Sequence, residues 1–157
     1  MKKTKILVPV YNDWQSAFKL LEEIDAHLEG WDADISVIII NDASTQKKPD
    51  NFLSFKNLKS VKIINMINNR GHGRCNAAGL KYIYEKEDFD YVIPMDGDGE
   101  DRPEEIKEFI NQIKDSNGKP IVGLRVKRSE SLFFQICYKL HKHYQSSHLR
   151  KVVKVGL

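Results

Sequence analysis

Short apolar runs alternate along the chain with longer segments in which apolar residues recur every three or four positions. The runs have the length and the β-branched content of buried strands, and they lie at residues 5–10, 35–40, 61–64, 91–95 and 120–124. The longer segments have the period of amphipathic helices, and they lie at residues 14–28, 73–84, 103–113 and 132–144. This alternation predicts a three-layer α/β fold with a mostly parallel central sheet.

Residues at the ends of these segments support the same boundaries. Asp13 is placed to cap the first helix, and Gly30 could end it. Pro103 suits the first turn of a later helix, where Glu104 and Glu105 would favour the positive end of the helix dipole. Capping and breaking residues therefore agree with the hydrophobic periodicity.

Polar residues follow the strands at the points where the strands end. Right-handed crossovers would bring these ends to one edge of a parallel sheet. The residues are Tyr11, Asn12 and Asp13, Asn41 and Asp42, residues 68–74, Asp96, Asp98 and Glu100, and Arg125 and Arg128. An aromatic ring, several acids, a glycine loop and two arginines at this edge indicate a site for a nucleotide diphosphate.

The acidic stretch after the fourth strand is the most informative motif. One glycine separates Asp96 from Asp98, and Glu100 follows a second glycine. Hard carboxylate oxygens beside an open position suit Mg²⁺ or Mn²⁺, which completes its coordination with water and substrate phosphates. An acidic surface turn would have the same composition, so the motif alone leaves both interpretations open.

The segment from Asn68 to Arg74 has the glycine content of a loop that holds phosphate through backbone N–H groups. It lacks the spacing of the dinucleotide and P-loop motifs, so a glycine turn that opens a helix fits equally well. His72 by itself is better explained as structural or solvent-facing. Asp42 could accept a hydrogen bond from a base or a ribose, or it could be a helix cap or an ordinary loop acid. Tyr11 could stack on a base or pack beside the strand.

The composition describes a single domain with a charged surface. The chain has 157 residues, of which 41% are hydrophobic and 30% are charged. No run approaches the ~18 apolar residues of a membrane-spanning helix, and the basic N-terminus lacks the features of a signal peptide. Cys75 and Cys137 have no metal-binding spacing, which favours a reduced, cytoplasmic setting.

The charge of the chain is uneven. Residues 119–157 contain nine basic residues and one acid, a net charge of +8, whereas the whole chain carries +3. The basic part is therefore expected to meet an anionic partner. The apolar residues from Leu132 to Leu140 would let a helix lie peripherally at the cytoplasmic face of a membrane. A core helix followed by a disordered basic tail explains the same pattern.

Taken in order, five stretches resemble family 2 glycosyltransferases of the GT-A fold. They are residues 8–13, 37–45, 69–73, 95–104 and 123–128. The closest branch resembles the polyprenyl-phosphate glycosyltransferases, which include dolichol-phosphate mannose synthase. The resemblance implies a Rossmann-like GT-A nucleotide-sugar-binding domain at residues 1–128. A basic helix and tail at 129–157 would then begin an acceptor region.

The resemblance also implies a role for each matched residue. The nucleotide would be bound by Pro9, Tyr11, Asp13, Asp42, Arg70, Gly71, Gly73 and Asp96. The Mg²⁺ or Mn²⁺ ion would be held by Asp96, Asp98 and Glu100, although the family often has Gln where Glu100 stands. Arg125 and Arg128 would face the donor diphosphate or the acceptor phosphate, and they would form the catalytic set together with Asp96 and Asp98.

The implied activity is metal-dependent, inverting transfer of a sugar from a UDP- or GDP-sugar to a polyprenyl phosphate or a glycan. No nucleic-acid partner is expected. Asn41 and Ala43 depart from the pattern, because the family usually has Asp and Gly there. The chain stops at Leu157, where the family continues into an acceptor-binding segment, so a non-catalytic nucleotide-sugar-binding fragment is an alternative. A nucleotidyltransferase would share the acids, but no glycine-rich basic loop follows the first strand.

Overall fold

The computed structural model describes residues 2–50, 54–99, 101–115 and 120–121. The strands within these residues are β1 (Lys3–Val10), β2 (Asp34–Asn41), β3 (Ser60–Asn65) and β4 (Tyr91–Pro94). The helices are α1 (Trp14–His27), α2 (His72–Lys86) and α3 (Ile106–Asp115), and a 3₁₀ turn at Pro103–Glu105 leads into α3. The described strands pair in parallel in the order β3-β2-β1-β4. The predicted α/β fold with a parallel sheet is confirmed.

The helices cover both faces of the sheet. On one face Ile6 and Val8 of β1 share a buried cluster with Leu21 of α1 and Ile110 of α3. On the other face a second cluster joins β1 and β2 to α2, and it contains Leu7, Ile38, Ile40, Cys75 and Ile83. Strands buried on both faces need apolar residues at successive positions, which explains the unbroken apolar runs in the sequence. The outcome is the predicted three-layer arrangement.

Helix α2 packs closely on the sheet because residue 79 is a glycine. A Cβ atom at Gly79 would lie 2.5 Å from Cδ1 of Leu7 and 2.7 Å from Cγ1 of Ile40. Cys75, which lies one turn earlier, is fully buried. Burial raises the pKa of its thiol to about 11, so Cys75 is a core residue rather than a nucleophile.

Helix α1 is fixed at both ends by aspartate side chains. The carboxylate of Asp13 accepts a hydrogen bond from the backbone N–H of Ser16 at 3.2 Å, as the predicted cap requires. Near the other end, Asp25 accepts hydrogen bonds from the N–H groups of Lys56, Asn57 and Leu58 at 3.1, 2.8 and 2.8 Å. Burial raises the pKa of Asp25, but these bonds outweigh it and lower the pKa overall. The segment that enters β3 is therefore held by α1.

Several predicted features lie outside the described residues. They are Glu100, Arg125, Arg128, the helix at 132–144 and most of the strand at 120–124. The chain divides into compact units at Met1–Gly118 and Lys119–Leu157, and the predicted boundary at residue 128 stays a prediction. In the described part of the chain, no helix is long and apolar enough to cross a membrane.

Candidate functional site

The strand order reverses beside β1, and this reversal creates a crevice. β2 and β3 extend the sheet on one side of β1, whereas β4 pairs with its other side. In open α/β sheets, ligands bind outside the carboxyl ends of the strands at such a switch point. A cavity of about 170 Å³ lies at these strand ends, and it is lined by Pro9, Val10, Tyr11, Asp13, His72, Asp96, Gly97 and Asp98.

Five of the residues predicted to form the site line this cavity. They are Pro9, Tyr11, Asp13, Asp96 and Asp98. Strand direction alone accounts for this grouping, because β1 and β4 are parallel neighbours and their carboxyl ends share one edge. The sequence prediction that an aromatic side chain and acids meet there is therefore supported by the arrangement of the strands.

The loop after β1 is held in place by Asn12. This residue has a positive φ of 55°, and its side-chain oxygen accepts hydrogen bonds from the N–H groups of Thr45 and Gln46 at 2.8 and 2.9 Å. Its own N–H donates to the hydroxyl of Ser44 at 2.9 Å. Asn12 thus ties the loop after β1 to the loop after β2. This tie fixes the backbone on either side, where Tyr11 and Asp13 reach the cavity.

The loop after β4 is closed by an aspartate that sequence reasoning did not single out. The carboxylate of Asp101 accepts a hydrogen bond from the N–H of Asp96 at 2.7 Å. Gly99 turns the chain within this loop with a φ of 85°, a conformation that favours glycine. The turn presents the two acids Asp96 and Asp98 to the cavity. Among the residues that the structure describes, no three or more His, Cys, Asp or Glu side chains form a group that could hold a metal ion.

His72 lies in the wall of the cavity, and its side chain is 62% exposed, in agreement with the solvent-facing role that its sequence context favoured. Its Nε2 atom is 3.6 Å from Oδ1 of Asp96 and 3.0 Å from Nδ2 of Asn76. Asn76 lies four residues later on α2, which places it on the same face of the helix. The sequence places His72 at this edge, within the segment 68–74 that follows β3, but no pattern in it predicts the contact with Asp96.

Asp42 holds the glycine loop rather than lining the cavity. The residue is 3% exposed, and its two carboxylate oxygens accept hydrogen bonds from the N–H groups of Arg70 and Gly71, each at 2.8 Å. Arg70, Gly71 and Gly73 are likewise not among the lining residues of this cavity. The predicted contacts of these residues with a nucleotide stay predictions. Through its hydrogen bonds to Arg70 and Gly71, Asp42 anchors the start of α2 to the end of β2.

Residues 5–152 match the glycosyl transferase family 2. The chain belongs to this family. The fold of this family 2 member is similar to that of S. aureus TarS in crystal structures of its residues 1–349, of the same residues in complex with UDP, and of TarS itself. The TM-scores are 0.55, 0.53 and 0.51 at 20% identity, and each similarity covers 81% of the chain. The chain spans 39%, 38% and 23% of those three TarS chains, and its fold is GT-A-like.

The two departures from the family 2 pattern lie together at the end of β2. The amide of Asn41 donates to Oδ1 of Asn65 at 2.9 Å and accepts from the N–H of Ser44 at 2.9 Å. An aspartate at position 41 could accept the second bond but could not donate the first. Ala43 has a φ of 55°, so the alanine adopts a backbone conformation that suits glycine better.

Proposed function

We propose that this chain is the donor-binding part of a glycosyltransferase that uses a nucleotide-diphosphate sugar together with Mg²⁺ or Mn²⁺. The observation that carries the proposal is the cavity at the switch point, which combines Tyr11 with Asp96 and Asp98. Membership of family 2 supports sugar transfer. The similarity in fold to a TarS structure in complex with UDP supports a nucleotide ligand.

The cavity is too small to hold a whole nucleotide sugar. At about 170 Å³, it is smaller than the ~300–1,000 Å³ of typical small-molecule pockets. It would therefore enclose only part of a nucleotide sugar. The exposed residues 68–71 lead into α2 beside His72 and would border the remainder.

The residues of the cavity fit a divalent cation of the magnesium type. Such an ion is commonly held by one or two carboxylates and otherwise by water and substrate phosphates, and Asp96 and Asp98 are two carboxylates on one cavity wall. Glu100 would add a third oxygen ligand. When bound, the ion would neutralise the charge that develops on the leaving diphosphate.

The side chains of the cavity would orient the donor so that the acceptor attacks the anomeric carbon in line with the leaving diphosphate. Such an attack inverts the configuration at that carbon. Arg125 and Arg128 would face the donor diphosphate or the acceptor phosphate. A polyprenyl phosphate acceptor is already an anionic nucleophile and needs no strong base. A hydroxyl acceptor on a glycan would need a general base.

A thermal-shift panel of UDP-, GDP- and dTDP-sugars, with Mn²⁺ or with EDTA, tests the donor proposal. A ligand at a hundredfold excess over its Kd stabilises a protein by about 2.7 kcal/mol, which corresponds to several degrees for a domain of this size. We expect one nucleotide class to produce such a shift, and the failure of all three would overturn the proposal. Hydrolysis of the bound donor would then separate an enzyme from a binding-only module.

Asp98→Asn tests the role of the cation. This variant should lose most of the Mn²⁺-dependent part of nucleotide affinity, because an amide is a poorer ligand for a hard cation than a carboxylate is. Asp32→Asn is the matched control, since Asp32 is exposed and precedes β2 at the opposite edge of the sheet. If calorimetry of the unaltered protein gives equal affinity with EDTA and with Mn²⁺, the nucleotide binds without a cation and this part of the proposal is wrong.

A further inference from the structure

We propose that His72 is a donor-contacting residue that hydrogen-bonds the diphosphate of the nucleotide sugar. The inference rests on the proposed function, because it assigns a role within the same cavity. His72 lines that cavity, and its Nε2 atom is 3.6 Å from Oδ1 of Asp96. The carboxylate would approach the diphosphate through the cation, so a group this close to the carboxylate can reach the same phosphate oxygens.

In its described part, the cavity wall has few hydrogen-bond donors for phosphate oxygens, and His72 can supply one. A diphosphate offers only acceptor oxygens, and the three aspartates of the wall have no N–H or O–H to donate when they are ionised. Among the described residues that line the cavity, only Tyr11 and His72 have a side chain with such a donor, which would act beside Arg125 and Arg128. His72 also begins α2, and the positive end of a helix dipole favours an anion at that position.

The imidazole ring is both accessible and oriented. The side chain of His72 is 62% exposed and that of Asp96 is 49% exposed, so a ligand can reach both from solvent. An exposed side chain would ordinarily sample several rotamers. Nδ2 of Asn76 lies 3.0 Å from Nε2 of His72. Because an amide nitrogen only donates, Nε2 accepts in this contact, which favours one rotamer and leaves Nδ1 as the nitrogen whose N–H would donate to the phosphate. Asn76 is therefore a positioning residue for the ring.

Calorimetry with UDP, GDP and the corresponding monophosphates, in the presence of Mn²⁺, tests the inference. His72→Ala should weaken binding of the preferred diphosphate by roughly tenfold, the effect expected for one hydrogen bond to a charged group. Binding of the matching monophosphate should change by less than about twofold, because the hydrogen bond would go to the β-phosphate, which the monophosphate lacks. His27→Ala is the control, since His27 is exposed and lies at the end of α1.

Two conservative variants distinguish a hydrogen-bond donor from a structural side chain. His72→Asn keeps an N–H near the position of Nδ1, and His72→Gln keeps one near Nε2. At least one of them should bind the diphosphate within about threefold of the unaltered protein. Asn76→Ala should weaken diphosphate binding in the same direction as His72→Ala, with a smaller effect.

The outcomes separate this inference from the proposed function. If the unaltered protein binds neither UDP nor GDP, the proposed function is wrong and the inference falls with it. If it binds one of them and His72→Ala binds equally well, the inference alone is wrong. Equal losses of diphosphate and monophosphate binding, or failure of both Asn and Gln to restore affinity, would also overturn the role assigned to His72.

Discussion

Ala43 has a backbone conformation that is costly for a residue with a Cβ atom. Its φ of 55° lies in the left-handed region, which costs an alanine about 1–2 kcal/mol relative to the right-handed region. Glycine avoids this cost but loses about 0.5–1 kcal/mol through the greater freedom of the unfolded chain. Ala43→Gly should therefore raise the free energy of unfolding by about 0.5–1 kcal/mol, as measured by urea denaturation.

Ala26→Gly provides the comparison of opposite sign. Ala26 is exposed on α1, where the same substitution should lower the free energy of unfolding by about 0.5–1 kcal/mol. A loss of stability in Ala43→Gly similar to that in Ala26→Gly would contradict the strain argument.

Individual residues of the site differed in how far the sequence could predict them. Asp96, Asp98 and Tyr11 were predictable because each follows a strand, and strand direction determines the edge at which they emerge. The position of His72 in the cavity was not predictable, since its proximity to Asp96 depends on how α2 packs against the sheet. The hydrogen bonds that Asp42 makes to Arg70 and Gly71 depend on the path of a loop, which hydrophobic periodicity does not encode.

Among the secondary-structure elements, α2 depends most directly on one small residue. Gly79→Ala would place a methyl group 2.5 Å from Leu7 and 2.7 Å from Ile40. Because these neighbours are buried, either the helix or their side chains must shift, and the free energy of unfolding should fall by about 1–3 kcal/mol. Gly73→Ala on the same helix is the control, because nothing lies within 4 Å of a Cβ there. Equal stability of the two variants would show that α2 does not pack as closely as described.

The junction between α1 and β3 should be sensitive to acid. Asp25→Ala removes the acceptor of three backbone hydrogen bonds and should lower the free energy of unfolding by about 1–2 kcal/mol at pH 7. The folded state lowers the pKa of Asp25 below its ordinary value of 3.8. The stabilisation is therefore present above that value and is lost as the pH falls through the folded pKa.

Denaturation of the unaltered protein and of Asp25→Ala between pH 7 and pH 3 checks this behaviour. The difference in free energy of unfolding should be constant at neutral pH and should shrink below about pH 4. Glu22→Ala on the same helix is the control, since Glu22 is exposed. A difference that grows with acidity would contradict the sign of the shift.

Secondary structure was the part of the fold that the sequence predicted best. Apolar runs and helical periods identified β1 to β4 and α1 to α3, because burial on a sheet face or a helix face imposes these periods directly. The sheet order β3-β2-β1-β4 was not predicted. The order depends on the side of β1 at which each later strand pairs. Hydrophobic periodicity does not determine that side, because the same pattern of apolar residues fits a strand on either side.

At the scale of the whole molecule, the uneven charge gives a testable expectation. Residues 119–157 carry a net charge of +8, and each basic residue near an anionic membrane surface contributes about 1 kcal/mol. The protein should therefore sediment with anionic vesicles at low salt, but not at high salt and not with neutral vesicles. Replacement of Arg150, Lys151 and Lys154 by Glu should reduce the sedimented fraction. If no protein sediments with anionic vesicles at low salt, the expected membrane contact is wrong.

The position of Asp42 also has a consequence for motion. Its buried carboxylate engages the amides of Arg70 and Gly71, so these amides are shielded in a loop whose residues are otherwise exposed. The amide of Gly71 also donates to Oδ1 of Asn69 at 3.1 Å. The amide of Arg70 can therefore exchange its hydrogen for deuterium once the carboxylate releases it, whereas that of Gly71 must leave both acceptors. That release would free the entry to α2, where His72 stands. Deuterium uptake at these two amides would therefore report how often the entry to α2, and His72 with it, detaches from the end of β2.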